Sequence, residues 1–324
     1  MQDNLRVSVC MITYNHEDHI CDAIDGVILQ KTDFEIELII GEDYSTDNTR
    51  TFCKDYSEKY PNLIRLLPAQ DRNLGMIPNF IRTLESCTGK YIALCEGDDY
   101  WTDPYKLQKQ VDFLETNPEY GLCYTSAKVF FQKTSTFSNT VIGYPVESFE
   151  ELLLNPGIVT LTTVFRKSLR DGYSSEVLPY STRWKMGDYP LWLYIATKSK
   201  MKFMEDITAT YRMLEESASR SKSLDHNLDF ANSAFEIRNF FADKFHVSDA
   251  IRKHYSLEYF CDTLYLAFVV KRTELINQAK LFFEANRLIV FRRFLTLFDF
   301  FKKNHFALRM LNHFMNRYRL YRYK

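Results

Sequence analysis

The sequence predicts an α/β domain built on a largely parallel sheet, followed by an all-helical C-terminal region. Three observations carry this. Short apolar runs alternate with helix-period segments from residue 1 to about 128. Polar, mostly acidic residues follow successive apolar runs, where strands should end. From Leu224 to Lys324 neither proline nor glycine occurs, and apolar residues recur at helical spacing.

The elements follow in order. "RVSVCMITY" reads as a buried strand, and a helix is expected from about Asn15 to Gln30, with Ile20, Ile24, Val27 and Ile28 on one face. "IELIIGE" is a second strand, and "STDNTRTFCKDYSEKY" a helix with polar capping residues at its start. "NLIRLLP" is a third strand. "PNFIRTLESC" is a helix, with Gly89 expected at its C-terminal cap. "KYIALCE" is a fourth strand. Asp103 and Pro104 are expected as N-cap and first-turn residue of "PYKLQKQVDFLETN". "GLCYTSAKVF" is a fifth strand. Beyond it, "QKTSTFSNTVIGYP" reads as a surface excursion, "GIVTLTTVFRKS" as a strand, "DYPLWLYIATKS" as a short amphipathic helix, and "KFMEDITATYRM" as one or two strands near the sheet edge. The expected division is 1–223 for the α/β domain and 224–324 for the helical region.

At 324 residues the chain can bury a sizeable core without disulfides. A net charge of -1 excludes the strongly basic character of a bulk nucleic-acid binder. The seven cysteines form no CxxC pair and several lie inside apolar runs, so they read as buried free thiols in a reducing compartment. The N-terminus shows no charged-then-apolar leader, and no run approaches the ~18 apolar residues that span a bilayer. A cytoplasmic location is expected.

In an open α/β sheet, ligands bind at the carboxyl ends of strands. Those ends carry Thr13-Tyr14-Asn15, Glu42-Asp43-Tyr44-Ser45, Asp71-Arg72-Asn73-Leu74-Gly75 and Glu96-Gly97-Asp98-Asp99-Tyr100-Trp101. The first strand is not followed by GxGxxG, and no GxxxxGK[ST] occurs. A nucleotide held here must meet its diphosphate by another device. Adjacent carboxylates suggest Mn²⁺ or Mg²⁺, which takes oxygen ligands and bridges carboxylates to phosphate oxygens. Taken singly, Asp98-Asp99 could be a solvated turn, Glu42-Asp43 a helix cap, Arg72 a surface charge and Tyr14 packing.

Together, "VSVCMITYN", "ELIIGEDYSTDNT", "NLGMIPNF" and "GKYIALCEGDDYWTDPYKLQKQ" resemble glycosyltransferase family 2, with its GT-A fold, over roughly residues 5 to 215. "EGDDYW", with "GDYPLWLYIA" and "YR" downstream, is similar to members found in bacterial capsule and O-antigen assembly. The resemblance implies that Tyr14 borders the nucleobase, with Thr13 beside it. It implies that Asp43 accepts a hydrogen bond from the base while Glu42 supports the turn, and that Arg72 lies near base or diphosphate. Asp98 would face the ribose or sugar, and Asp99 would ligate the metal. Asp188, in "MGDYPLW", would be the catalytic base, and Tyr211-Arg212 would lie near the donor diphosphate. Many relatives carry a histidine two residues after the Tyr-Arg pair. Here that position is Leu214, with Arg220 or Lys222 as candidate substitutes.

The implied reaction is a direct, inverting displacement at the anomeric carbon of a nucleoside-diphosphate sugar, with uridine as the expected nucleoside. The acceptor is a glycan or lipid-linked hydroxyl, read by the region around "YPVESFEELLLNPGIVTLTT", where Thr160, Thr162 and Thr163 are candidate lining residues. The rival readings are a non-catalytic nucleotide-sugar-binding protein of the same fold and a sugar nucleotidyltransferase. The second normally needs a glycine-rich phosphate loop after strand one, which "MITYNHEDH" lacks. In the tail, basic residues interleave with Phe291, Phe294, Leu295, Phe298 and Phe301. Two readings stay open: peripheral contact with an anionic membrane surface, or packing against the catalytic domain or a second subunit.

Overall fold

The structure, a computed structural model, describes residues 6–181, 183–215 and 221–322. The chain divides into two compact units, Met1–Glu215 and Glu216–Lys324.

The first unit opens with β1 (Arg6–Thr13), α1 (Ile20–Ile28), β2 (Glu35–Glu42), α2 (Thr49–Lys59), β3 (Ile64–Leu66), α3 (Met76–Glu85) and β4 (Tyr91–Leu94). Crossover helices between strands force parallel pairing. β1 accordingly lies parallel between β2, from Arg6↔Glu35 to Thr13↔Glu42, and β4, from Val7↔Tyr91 to Cys10↔Leu94. β3 adds to β2 in the same sense. Val7, Val9, Met11, Leu38, Ile40, Tyr91 and Ala93 are buried in one core. Covered on both faces, such strands read as continuous apolar runs without alternation.

The chain continues with β5 (Tyr100–Trp101), α4 (Lys106–Thr116), β6 (Tyr120–Phe131), β7 (Thr136–Ile142), α5 (Phe149–Leu154), a single 3-10 turn at Thr160–Thr162, β8 (Val164–Arg166), α6 (Lys167–Glu176), α7 (Asp188–Lys198) and β9 (Lys200–Met213). The sheet order is β3-β2-β1-β4-β8-β6-β9-β5, with β7 on β6. The parallel character holds from β3 to β4 and again between β6 and β9. β8 lies antiparallel to both β4 and β6, so the sheet is mixed.

Several expected elements differ. The first helix begins at Ile20, not Asn15, because Asn15 is left-handed (φ 54) and a turn closes from Ile20 N–H to His16 O first. Gly89 is not a helix cap. α3 ends at Glu85, and Gly89 is small because a Cβ there would lie 2.6 Å from Arg6 O and 2.7 Å from Ser8 N. Asp103 Oδ1 accepts Tyr105 N–H at 2.9 Å, which makes a turn ahead of α4 and leaves Pro104 outside the helix. The "surface excursion" is the exposed hairpin strand β7, antiparallel to β6. The strand expected across "GIVTLTTVFRKS" shrinks to β8, because the 3-10 turn takes its first half. α7 is not amphipathic: every residue from Tyr189 to Ile195 is buried, since α5 and α6 pack on it as well as β6 and β9.

The second unit is the helical array α8 (Leu224–Lys244), α9 (Asp249–Val269), α10 (Thr273–Ala285), α11 (Ile289–Phe300) and α12 (His305–Arg322). Its core is aromatic, with Phe260, Phe283, Phe291 and Phe298 buried together. With no glycine available, His246, Lys271 and Arg287 take the left-handed conformation (φ 53, 60 and 54) in the turns between helices. Each such residue costs about 1 kcal/mol relative to glycine, which the core burial offsets.

Candidate active site

The carboxyl ends of β1 and β2 form one half of the site. The loops after them are laced together: Asn15 Oδ1 accepts Thr46 N–H at 2.8 Å, Ser45 Oγ accepts Asn15 N–H at 3.0 Å, and Glu17 Oε2 accepts Asn48 N–H at 2.9 Å. Glu42 is buried, taking Ser45 N–H at 2.5 Å on Oε1 and Arg50 Nη1 at 2.8 Å on Oε2. Asp43 is also buried. Its two oxygens accept Leu74 N–H and Gly75 N–H, each at 2.9 Å. The residue expected to meet a base therefore anchors the loop that carries Arg72, which is exposed. Gly75 has φ 88 at the head of α3, a conformation glycine adopts without cost.

Thr13 is buried, and its Oγ1 lies 3.2 Å from His16 Nδ1. Tyr14 is 42% exposed at the end of β1. A residue missed from the sequence stands beside this pair. Tyr44, at the end of β2, is exposed and left-handed (φ 62). For an aromatic side chain this is a strained backbone, of a kind that gathers at functional sites. Nothing in the composition of "GEDYST" signals it.

The end of β4 forms the other half. Gly97 N–H donates to Ile12 O at 2.9 Å, which holds the acidic loop against β1. Glu96 and Asp98 are partly exposed, and neither carboxylate receives a hydrogen bond from the described residues. Burial, then the charges of Asp98 and Asp188, pushes the Glu96 carboxyl up to about 8. Glu96 was also missed as a site residue. Asp99 faces the other way: it is 1% exposed and its Oδ1 accepts Arg212 N–H at 2.7 Å on β9. Burial, with Asp98 and Glu96 close by, raises its carboxyl well above the usual range.

Asp188 is the first residue of α7, just after Gly187. Its Oδ1 accepts Tyr189 N–H at 2.7 Å, and its Oδ2 accepts the Thr160 hydroxyl. Its charge is near enough to raise the Glu96 carboxyl, so the start of α7 lies in the neighbourhood of the end of β4. The turn holding Thr160 is pinned from below by Trp101 Nε1 to Leu161 O at 2.7 Å and Gln110 Nε2 to Thr162 O at 2.8 Å. Thr162 and Thr163 are buried and bond to backbone, so of the three candidate threonines only Thr160 meets Asp188.

Arg212 is buried and already held. It pairs with Asp22, its guanidinium lies 4.6 Å from the centre of the Tyr100 ring, and its Nη1 is 3.5 Å from Gln132 Oε1. Its Nε is buried with no partner among the described residues. Tyr211, its neighbour on β9, packs against the sheet core. His19 stands near Arg212, Asp98 and His16. Burial first, then Arg212 and His16, lower its proton affinity. Of the candidates for the histidine missing at Leu214, Arg220 lies outside the described residues and Lys222 is exposed and belongs to the second unit.

Among the described residues no three His, Cys, Asp or Glu side chains form a metal-holding group. Mg²⁺ and Mn²⁺ bound with a nucleotide need less, one or two carboxylates with phosphate oxygens completing the shell. Glu96 and Asp98 meet that need: two neighbouring acids at the end of β4, one with its proton affinity raised by burial and then by the negative charge around it.

A mixed, mostly parallel sheet flanked by helices, with acids at the ends of its parallel strands, is a fold of the GT-A type. The chain belongs to glycosyl transferase family 2, whose profile matches residues 8–174. An uncharacterized protein of Mycobacterium tuberculosis is 35% identical over 210 residues, covering 64% of this chain and 58% of that protein. The chain thus spans somewhat over half the length of that relative. Two solved structures share the fold: S. aureus TarS 1-349 in complex with UDP-GlcNAc, at TM-score 0.60 and 17% identity over 98% of this chain and 93% of that one, and the Pyrobaculum calidifontis mannosyltransferase PcManGT with GDP-Man and Mn²⁺, at 0.57 and 14% over 96% and 88%.

Proposed function

We propose that this chain is an inverting glycosyltransferase, moving a sugar from a nucleoside-diphosphate sugar to an acceptor hydroxyl in bacterial surface polysaccharide or glycolipid assembly. One observation carries the reading above all. Asp188 lies in the neighbourhood of Glu96 and Asp98, close enough for its charge to act on Glu96. That proximity supports reading Asp188 as the base and Glu96 with Asp98 as the acid pair that faces the diphosphate.

Asp188 takes the proton of the acceptor hydroxyl as that oxygen attacks. Bonds from Tyr189 N–H and Thr160 fix the direction in which its carboxylate points. Attack from the side opposite the leaving group inverts the anomeric configuration, with no covalent intermediate. Tyr14 and Tyr44 border the nucleobase, and Asp43 holds the loop that brings Arg72 to the donor. Glu96 and Asp98 would hold Mn²⁺ or Mg²⁺, which offsets negative charge on the departing diphosphate when bound. Asp99 was expected to be the metal ligand; its bond to Arg212 N–H supports reading it instead as the residue that joins the acidic loop to β9. The donor carries uridine in the TarS complex and guanosine in PcManGT. Uridine is the nucleoside we favour here.

Thermal shift with a panel of nucleoside diphosphates, with and without Mn²⁺, tests the donor site. A ligand bound only by the folded chain raises its apparent stability by mass action. One nucleotide should raise the melting temperature, only with the metal, and Asp98→Ala should abolish the effect. If no nucleotide shifts the transition with metal present, the donor reading is wrong. Asp188→Asn should keep the shift and lose turnover, and normal turnover in that variant would remove Asp188 as the base.

A further inference from the structure

We propose that the outward faces of α11 and α12 form a surface that docks on an anionic lipid bilayer. Both helices bury one side in the aromatic core: Phe291, Leu295 and Phe298 from α11, Leu308 and Met315 from α12. The opposite side would be polar in an ordinary solvated helix. On α11 it carries Ile289, Arg293, Leu297 and Phe300, at successive steps of four, four and three. On α12 Phe306, Met310 and Phe314 form one exposed stripe, and Arg309, His313 and Arg317 run beside it. Phe300 is 78% exposed, Phe306 74% and Phe314 55%. Phe300 and Phe306 flank the short turn between the helices, with exposed Lys302 and Lys303 between them.

Isolated exposed apolar residues are ordinary, but a row of large ones on two consecutive helices is not. The charge around them identifies the occupant. From Arg287 to Arg322 the chain carries nine Lys or Arg and a single acid, Asp299, which is 3.2 Å from Lys302. Arg319 turns inward to Asp262 at 3.2 Å, and Arg292 lies 3.4 Å from Glu284. Arg293, Lys303 and Arg317 make no ion pair among the described residues and stand exposed beside the apolar row. Basic residues interleaved with Phe, Leu and Ile on one helix face suit the headgroup layer, where acyl chains take the apolar tips and anionic lipids the charges. A second copy meeting this face with its own would bring like charges together. A nucleic acid would leave Ile289, Leu297 and Met310 in water, because they offer no flat ring for a base. Among the described residues no helix is long and apolar enough to cross a membrane, so the contact is peripheral. The inference rests on the second unit alone and stands apart from the catalytic reading.

Flotation of the full-length chain with vesicles tests it. The chain should float with vesicles of phosphatidylcholine and phosphatidylglycerol, far less with phosphatidylcholine alone, and less at high salt. Combined Arg293→Glu, Lys303→Glu and Arg317→Glu should cut partitioning on the order of a hundredfold, from about fivefold per basic residue lost. Combined Phe300→Ser, Phe306→Ser and Phe314→Ser should also abolish flotation with charge unchanged. All six side chains are exposed, and a melting curve like that of the unmodified chain shows the variants folded. Failure of the unmodified chain to float would overturn the proposal. So would serine variants that float like it, since binding would then be adsorption by charge alone. Sedimentation velocity adds a third check: a dimer abolished by the serine substitutions would make a second copy the occupant.

Discussion

The Thr160 hydroxyl donates to Oδ2 of Asp188 at 2.5 Å, across 28 positions of sequence. Thr160 sits on a turn that Trp101 and Gln110 hold from beneath, so the donor is fixed before any substrate arrives. A misdirected base costs rate, not donor affinity. Thr160→Val should lower kcat about tenfold while leaving the KM for the donor unchanged, and Thr160→Ser should restore most of the loss. Release of nucleoside diphosphate, measured with the donor named by the thermal-shift screen, provides both constants. An unchanged kcat in the valine variant would show that Asp188 is oriented by other groups.

The neighbouring acids Asp98 and Asp99 should separate cleanly. Asp99 Oδ1 is the acceptor for the buried Arg212 N–H, so Asp99→Ala leaves that donor unpaired and should cost about 1–3 kcal/mol of stability. Asp99→Asn keeps an oxygen in place and should restore much of it. Asp98 has no such partner among the described residues, so Asp98→Ala should change urea stability little yet remove the metal-dependent thermal shift. Loss of that shift in Asp99→Asn but not in Asp98→Ala would return the metal to Asp99.

The order of strands and helices was legible because apolar runs in covered strands and 3.6-residue periods in helices are local signals. So were the polar strand ends, since each follows directly on such a run. The direction of a carboxylate was not legible. Whether Asp98 or Asp99 faces the crevice depends on where β9 places the Arg212 N–H, 113 positions away. Asp43 looked like a free acceptor and is occupied by the loop at Leu74 and Gly75 for the same reason. β5 escaped notice because two residues have no periodicity; its pairing with β9, Tyr100↔Thr210, is a tertiary fact. β7 escaped because Ser and Thr dominate an edge strand that has little to bury. Thr160 was named among three threonines, but only geometry distinguishes it from Thr162 and Thr163.

Tyr44 sets strain against binding. Its φ of 62 costs about 1–2 kcal/mol for a residue with a Cβ, and glycine would relieve most of that. Tyr44→Gly should therefore raise stability in urea unfolding by about 1 kcal/mol, less than the full strain because glycine also gains entropy when unfolded. The same change removes an exposed ring from the end of β2, so the nucleotide should bind about tenfold more weakly, roughly the worth of one aromatic stack. Titration calorimetry with the nucleoside diphosphate measures that loss. A variant with stability gained and affinity intact would place the nucleobase elsewhere.

Lys106 is wholly buried, its Nζ 4.3 Å from the centre of the Trp101 ring and 2.8 Å from Gln110 Oε1. Burial lowers its proton affinity from 10.5 to about 7. The unfolded chain therefore binds a proton on Lys106 that the folded chain lacks between pH 7 and 10.5. Stability supplied by this group rises with pH across that window, and below about 7 the full penalty of burying a charge remains. At about 1.4 kcal/mol per pH interval the ceiling is about 4–5 kcal/mol, and relaxation of the site will reduce it. Lys106→Met keeps the length and apolar stem, removes the titration, and leaves Gln110 Oε1 short of a donor at a cost of about 1 kcal/mol. Buried thiols and phenols also titrate in alkali, but they are common to both proteins and cancel in the difference. Urea unfolding at pH 7 and pH 9 should show the unmodified chain gaining on Lys106→Met by about 1–2 kcal/mol between the two. A constant difference would mean that Lys106 keeps its charge in the core, held by the Trp101 face and the Gln110 oxygen.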